Sequence, residues 1–260
     1  MDRRQRVRGE RLGANHGRLR LLGFLALVLS LGTAFSQEKR SGYEQMGREL
    51  RAMQDDDFAN PGMLVVLDGE ALWKSSGCGA CHAAGSMKGV AARYPSFDPR
   101  QNKVLNLEQR INACRVEKQK AKPWSYESPE LLAITAYVAN QSRGVPIAVD
   151  VDKSRTEFEA GQALFSRRLG QLNLSCAQCH EERAGLKLGG APIPQAHPTG
   201  YPIYRLEWQG VGSLQRRLRN CMTGMRAEPY AYGSQELVDL ELYLMGRAAG
   251  LNVETPAVRP

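Results

Sequence analysis

The sequence predicts a mostly α-helical chain built as two tandem domains. Three observations carry that expectation. Two C-x-x-C-H motifs, CGACH at Cys78–His82 and CAQCH at Cys176–His180, each set two thiols one helical turn apart beside an imidazole. The blocks around the motifs recur in the same order. GEALW (Gly69–Trp73) precedes the first motif as GQALF (Gly161–Phe165) precedes the second, and LEQRINAC (Leu107–Cys114) follows the first as LQRRLRNC (Leu214–Cys221) follows the second. Further on, PWSYESPELLAITAYV from Pro123 parallels PYAYGSQELVDLELYL from Pro229. Repetition in a fixed order marks a duplicated unit. Finally, strand signals are scarce, which leaves helix and loop.

The elements follow in order. Residues 1–36 hold seven arginines against Asp2 and Glu10, then the apolar run LLGFLALVLSL (Leu21–Leu31), then small residues at Ala34 and Ser36. That is the layout of a secretory signal, with cleavage expected after Ser36. The run is too short for a spanning helix, which needs roughly 20 apolar residues, so no membrane span is expected in the mature chain. The signal carries +5 of the formal +8. The mature chain is only mildly basic, and a nucleic-acid reading loses its support. Residues 37–60 form a charged arm, with a helix expected to end before Asn60-Pro61.

The first domain is expected at 61–146, an extended linker at 147–154 and the second domain at 155–260. Gly69 and Gly161 open the way to a close helix crossing. Ser128 and Ser234 suit helix N-caps, and Leu237, Leu240 and Leu244 give one buried face. Tyr137 and Tyr243 read as core aromatics at the crossings, as do Trp73 and Trp124 as packing residues.

C-x-x-C-H is the attachment signal of c-type haem. Its thiols add to the two porphyrin vinyl groups and its histidine meets the iron. The covalent anchors are therefore Cys78, Cys81, Cys176 and Cys179, with His82 and His180 as iron ligands, and the cofactors are two c-type haems. A zinc site would need four grouped ligands. A thioredoxin-like pair would need a βαβ pattern that is absent. The two units then read as class I cytochrome c-like domains, in which haem supplies apolar area that about 90 residues otherwise lack.

The opposite face of each iron is the open question. Methionine is the usual choice, but neither Met63 nor Met87 recurs in the second half, which offers Met222, Met225, Met245 and His197 instead. What recurs is cysteine: Cys114 and Cys221 are the two thiols left over. They can pair as a disulfide, lie buried and inert, or act as axial thiolates. Equivalent positions in tandem domains face their own haems, which favours the third reading. An anionic sulfur donor favours ferric iron and lowers its potential. Arg216, Arg217, Arg219 and Arg226 surround Cys221, with Arg205 upstream; around Cys114 the pattern thins to Arg110, Arg115 and Lys118. Arg217 stands four residues before Cys221, on one helix face. A guanidinium fork there suits sulfonate oxygens. Arg110 holds the same register beside Cys114, so a haem propionate is the competing partner.

The paired motifs, the repeated later cysteines and RRLRNCMTGMRAEP resemble the SoxA family, the dihaem c-type subunits of the SoxAX cytochromes of bacterial sulfur oxidation. The resemblance covers essentially the mature chain. It implies His/Cys ligation of both irons, a catalytic Cys221 carried as a persulfide, and substrate binding by Arg217; the arginine-rich block itself adds Arg226 as a second candidate for the sulfonate end. It implies an L-cysteine S-thiosulfotransferase of the periplasm. Such an enzyme joins thiosulfate to a cysteine of the SoxYZ carrier and passes electrons through haem, with SoxX as monohaem partner and a cytochrome c as acceptor. Two rivals remain: a thiosulfate dehydrogenase forming tetrathionate, and a plain dihaem electron carrier.

Overall fold

The computed structural model describes residues 38–83 and 85–260. The expected secretory signal, 1–36, lies outside the described residues. Each repeat begins with a helix that its glycine lets come close to another. In the first, α2 (Gly62–Ser75) crosses α4 (Pro129–Asn140); in the second, α5 (Arg155–Ser166) crosses α8 (Gln235–Arg247). A Cβ on Gly69 would stand 2.8 Å from Tyr137 Cβ and closer still to the Ala133 carbonyl. A Cβ on Gly161 would stand 2.9 Å from Tyr243 Cβ and closer still to the Asp239 carbonyl. Both crossings thus require glycine, as the repeat suggests. Tyr137 packs on Trp73, and Tyr243 on Phe165, at ring-centroid distances of 5.5 and 5.3 Å.

Between those helices each repeat inserts its haem motif and one further helix. These are α3 (Leu107–Glu117) in the first, and α6 (Cys176–His180) and α7 (Leu214–Gly224) in the second. Local chemistry sets where they start. Asn106 caps α3 in a capping box with Gln109, Ser175 caps α6 with Gln178, and Ser213 caps α7 through the Arg216 amide. Ser128 and Ser234 cap α4 and α8 as expected, each accepting from the amide three residues on.

The strands are short. β1 (Ser96–Asp98) pairs with β2 (Lys103–Leu105), and β3 (Lys187–Leu188) with β4 (Ala191–Pro192). A three-stranded sheet runs β6 (Gly210–Gly212), β5 (Ile203–Arg205), β7 (Ala257–Arg259), with β7 parallel to β5. The sequence pattern gives no sign of this sheet.

Residues 38–260 form one compact unit, so the repeats share a core. That corrects the expectation of one buried face on α8: Leu237 through Met245 are all buried, Asp239 and Glu241 included. Leu240 and Leu244 face α5 and α7, while Val238 and Leu242 pack against Val104 of β2 in the first repeat. The expected extended linker, 147–154, is irregular over 147–151, turns as a 3₁₀ helix over Asp152–Ser154, and is pinned. Ile147 is buried, its amide donates to the Leu251 carbonyl, and the Ala148 amide donates to Ala92.

The arm folds back onto the second repeat. Its helix, α1 (Arg48–Asp55), lies against β7. Gln54 Oε1 accepts from the Val258 amide at 3.1 Å, and buried Asn60 donates to the Pro256 carbonyl at 2.9 Å.

Candidate haem sites

In the second repeat α6 carries Cys176, Cys179 and His180, and it sets His180 in the wall of a cavity of about 300 Å³. Its wall includes His180, Cys221, Arg217, Leu218 and Leu244, with Met46 contributed by the arm. The ring nitrogen His180 Nδ1 lies 2.7 Å from the Pro194 carbonyl oxygen. Nδ1 therefore carries the proton and donates, which leaves Nε2 unprotonated, the form an iron ligand needs. Burial keeps the imidazole neutral by pulling its pKa below the usual value; the Pro194 carbonyl opposes this, and Arg217 and Arg247 reinforce it. Burial, and then the neighbouring Cys221, push the Cys176 thiol up to about 11. An imidazole nitrogen, a sulfur on the wall of the same cavity and an apolar lining are the donor set a c-type haem requires, so the residues fit that group.

The first repeat builds its motif differently. Gly77, at φ 75°, leads into a 3₁₀ turn over Cys78–Ala80 instead of a capped helix. His82 packs on Trp73 at 5.7 Å between ring centroids. Gln119, just past α3, ties the pieces together: its amide reaches the Cys114 carbonyl, and its Nε2 donates to Ser76 O at 2.8 Å with Cys78 Sγ at 3.7 Å. Cys114 is half-buried on α3. No disulfide joins Cys114 to Cys221.

The arginines divide by what they touch. Arg216 faces Glu127 at 3.7 Å and lies over Trp208, while Arg219 lies over Tyr232 and donates to the Tyr230 carbonyl. Arg205 lines the cavity and pairs with Glu207 at 2.9 Å. Arg217 lines the cavity with Cys221 and forms no ion pair among the described residues. Its repeat counterpart Arg110 does form one, with Asp98 at 3.6 Å. Arg226 is not in the cavity wall. It follows α7 at φ 55°, exposed, in a separate groove with Gly170 and Tyr230. Sequence reasoning missed the arm residues of the cavity and the Pro194 carbonyl, since nothing in the spacing joins them to His180.

A duplicated helical unit, each copy carrying a C-x-x-C-H histidine and a later cysteine, defines a tandem c-type cytochrome. The model of the SoxA/TsdA cytochrome c domain matches residues 68–147 and again 160–253. The L-cysteine S-thiosulfotransferase subunit SoxA of Pseudaminobacter salicylatoxidans is 39% identical over 85% of this chain and 81% of its own. That of Rhodovulum sulfidophilum is 37% identical over 85% and 80%. In the crystal structure of SoxXA from P. pantotrophus, one chain superposes with a TM-score of 0.83 at 33% identity, over 85% of this chain and 87% of that one. The chain belongs to the SoxA/TsdA cytochrome c family, and its cofactor is c-type haem. No described helix is long and apolar enough to cross a membrane.

Proposed function

We propose that this chain is the SoxA subunit of an L-cysteine S-thiosulfotransferase, paired with a SoxX-type monohaem cytochrome and acting in the periplasm. His82 and Cys114 would hold one haem, and His180 and Cys221 a second. The reaction joins thiosulfate to a cysteine thiolate of a SoxYZ-type carrier. One S–S bond forms, and two electrons leave for a cytochrome c acceptor. The observation that carries the reading is the Arg217 guanidinium, in the same cavity wall as Cys221 and without an ion pair among the described residues, where Arg110 in the other repeat pairs with Asp98.

Each residue then has a task. Arg217 holds the sulfonate oxygens with forked, charge-assisted donors. Cys221, as thiolate or persulfide, exchanges sulfur by attack of sulfur on sulfur. Pro194 fixes the His180 tautomer. The apolar wall and the arm keep water from the sulfur. Haem, when bound, supplies the one-electron acceptor next to the sulfur. Arg226 lies outside this cavity wall, in the groove with Gly170 and Tyr230, and takes no part in holding the substrate in this reading.

The test uses haem-loaded protein with its partner, thiosulfate, a thiol carrier and oxidised cytochrome c. The carrier should gain a thiosulfonate group, and Cys221 should carry one extra sulfur in part of the population by intact mass. Loss of a charge-assisted hydrogen bond is worth about 1.5–3 kcal/mol. Arg217→Ala should therefore lower kcat/KM for thiosulfate by about 10–100-fold. Free tetrathionate with an unmodified carrier would favour the dehydrogenase rival and overturn the proposal.

A further inference from the structure

Two buried positions per repeat face the shared core. Glu108 and Gln215 are equivalent, each two residues past its helix cap; Thr135 and Glu241 are equivalent, each seven residues past its cap. All four are buried, with exposures of 9% for Glu108, 0% for Gln215, 2% for Thr135 and 6% for Glu241. Glu108, Thr135 and Glu241 line one cavity of about 70 Å³ where the repeats meet.

The cavity holds two carboxyl groups, and no lysine, arginine or histidine lines it. Asn106 Nδ2 donates to Glu241 at 3.2 Å, and Tyr126 donates to Asn106 Oδ1 at 3.1 Å. The other groups facing the pair are the Gln215 side chain, which hydrogen-bonds Glu241, the phenols of Tyr94 and Tyr201 in the wall, and Glu127, which is held by Arg216. The Thr135 hydroxyl is buried in the same wall with no hydrogen-bond partner. A cavity of this size has room for about two waters, and a water bound there would satisfy the threonine. Burial raises both carboxyl pKa values; the charge of Glu127 adds to the rise for Glu108, and that of Glu108 to the rise for Glu241. Two carboxylates without a cation do not both ionise in such a place. The cavity shares Pro198, Thr199, Tyr201 and Leu214 with the wall of the His180/Cys221 cavity.

We propose that Glu108, Glu241 and Thr135, with internal water, form a redox-linked proton site: the pair takes up one proton from solvent when an electron enters the neighbouring haem cavity, and releases it when the electron leaves. The added negative charge is balanced by the proton through a low-dielectric wall. The inference rests on the haem at His180 and not on thiosulfate chemistry, because any small-molecule reductant or an electrode can supply the electron.

The test is reduced-minus-oxidised infrared spectroscopy of the haem-loaded protein on an electrode, with the midpoint potential followed against pH. The reduced state should show a protonated-carboxyl carbonyl band that shifts in D₂O and disappears in Glu241→Gln or Glu108→Gln. The second haem's potential should fall with rising pH in the wild type, with at least half of that dependence lost in the variants. The wild-type D₂O shift stands as evidence even if a variant fails to fold. A redox-silent carboxyl band, its absence in the wild type, or a band and pH dependence that survive both substitutions would overturn the proposal.

Discussion

Gly161→Ala tests the crossing on which the second haem site is built. The added methyl would sit 2.9 Å from Tyr243 Cβ, against the 3.4 Å at which ordinary contact begins. The helices must part by at least about 0.5 Å, and further to clear the Asp239 carbonyl. Overpacking of this kind costs about 1–3 kcal/mol, and here it meets backbone, which cannot rotate away. Alanine returns only about 0.5–1 kcal/mol of helix propensity. A net loss of about 2 kcal/mol lowers Tm by about 4–8 °C in a domain of this size. Circular dichroism of the haem-loaded protein during heating gives the measurement. Gly224→Ala is the control: a Cβ there meets nothing within 4 Å, so its Tm should hold or rise. Equal Tm values for Gly161→Ala and wild type, or an equal loss in the control, would refute the reasoning.

Three further outcomes are expected. Ser234→Ala removes the α8 cap and should cost about 1 kcal/mol in denaturant unfolding, as should Ser128→Ala for α4. Asn60→Ala removes hydrogen bonds to Pro256 O, Gln54 O and the Gly62 amide; limited proteolysis should then cut the arm at lower protease concentration. The raised pKa of Glu241 gives a pH signature. The folded state binds a proton that the unfolded state has lost, so stability is full below the ordinary glutamate value and falls as pH rises through the folded one. Glu241→Gln should flatten that decline, read as Tm against pH.

Much of the site was legible because it is written in local spacing. C-x-x-C-H brings its own thiols and imidazole together, and the four-residue step from Arg217 to Cys221 puts both on the wall of one cavity. Gly69 and Gly161 announced close crossings because only glycine serves there. The rest depends on partners far along the chain. The arm is held by backbone groups of residues 256–258, which have no sequence signature. Val238 and Leu242 sit off the face of Leu237, Leu240 and Leu244; they are buried because the first repeat, through Val104, covers that side of α8. The unlike fates of Arg110 and Arg217 were hidden for the same reason, since Asp98 reaches Arg110 from β1.

Electron paramagnetic resonance of the oxidised protein tests the coordination most directly. With imidazole and thiolate on both irons, the wild type should give two low-spin ferric signals of thiolate type. Cys114→Ala should abolish one and Cys221→Ala the other. Survival of both signals in either variant, or a methionine-type signal in the wild type, would contradict the account.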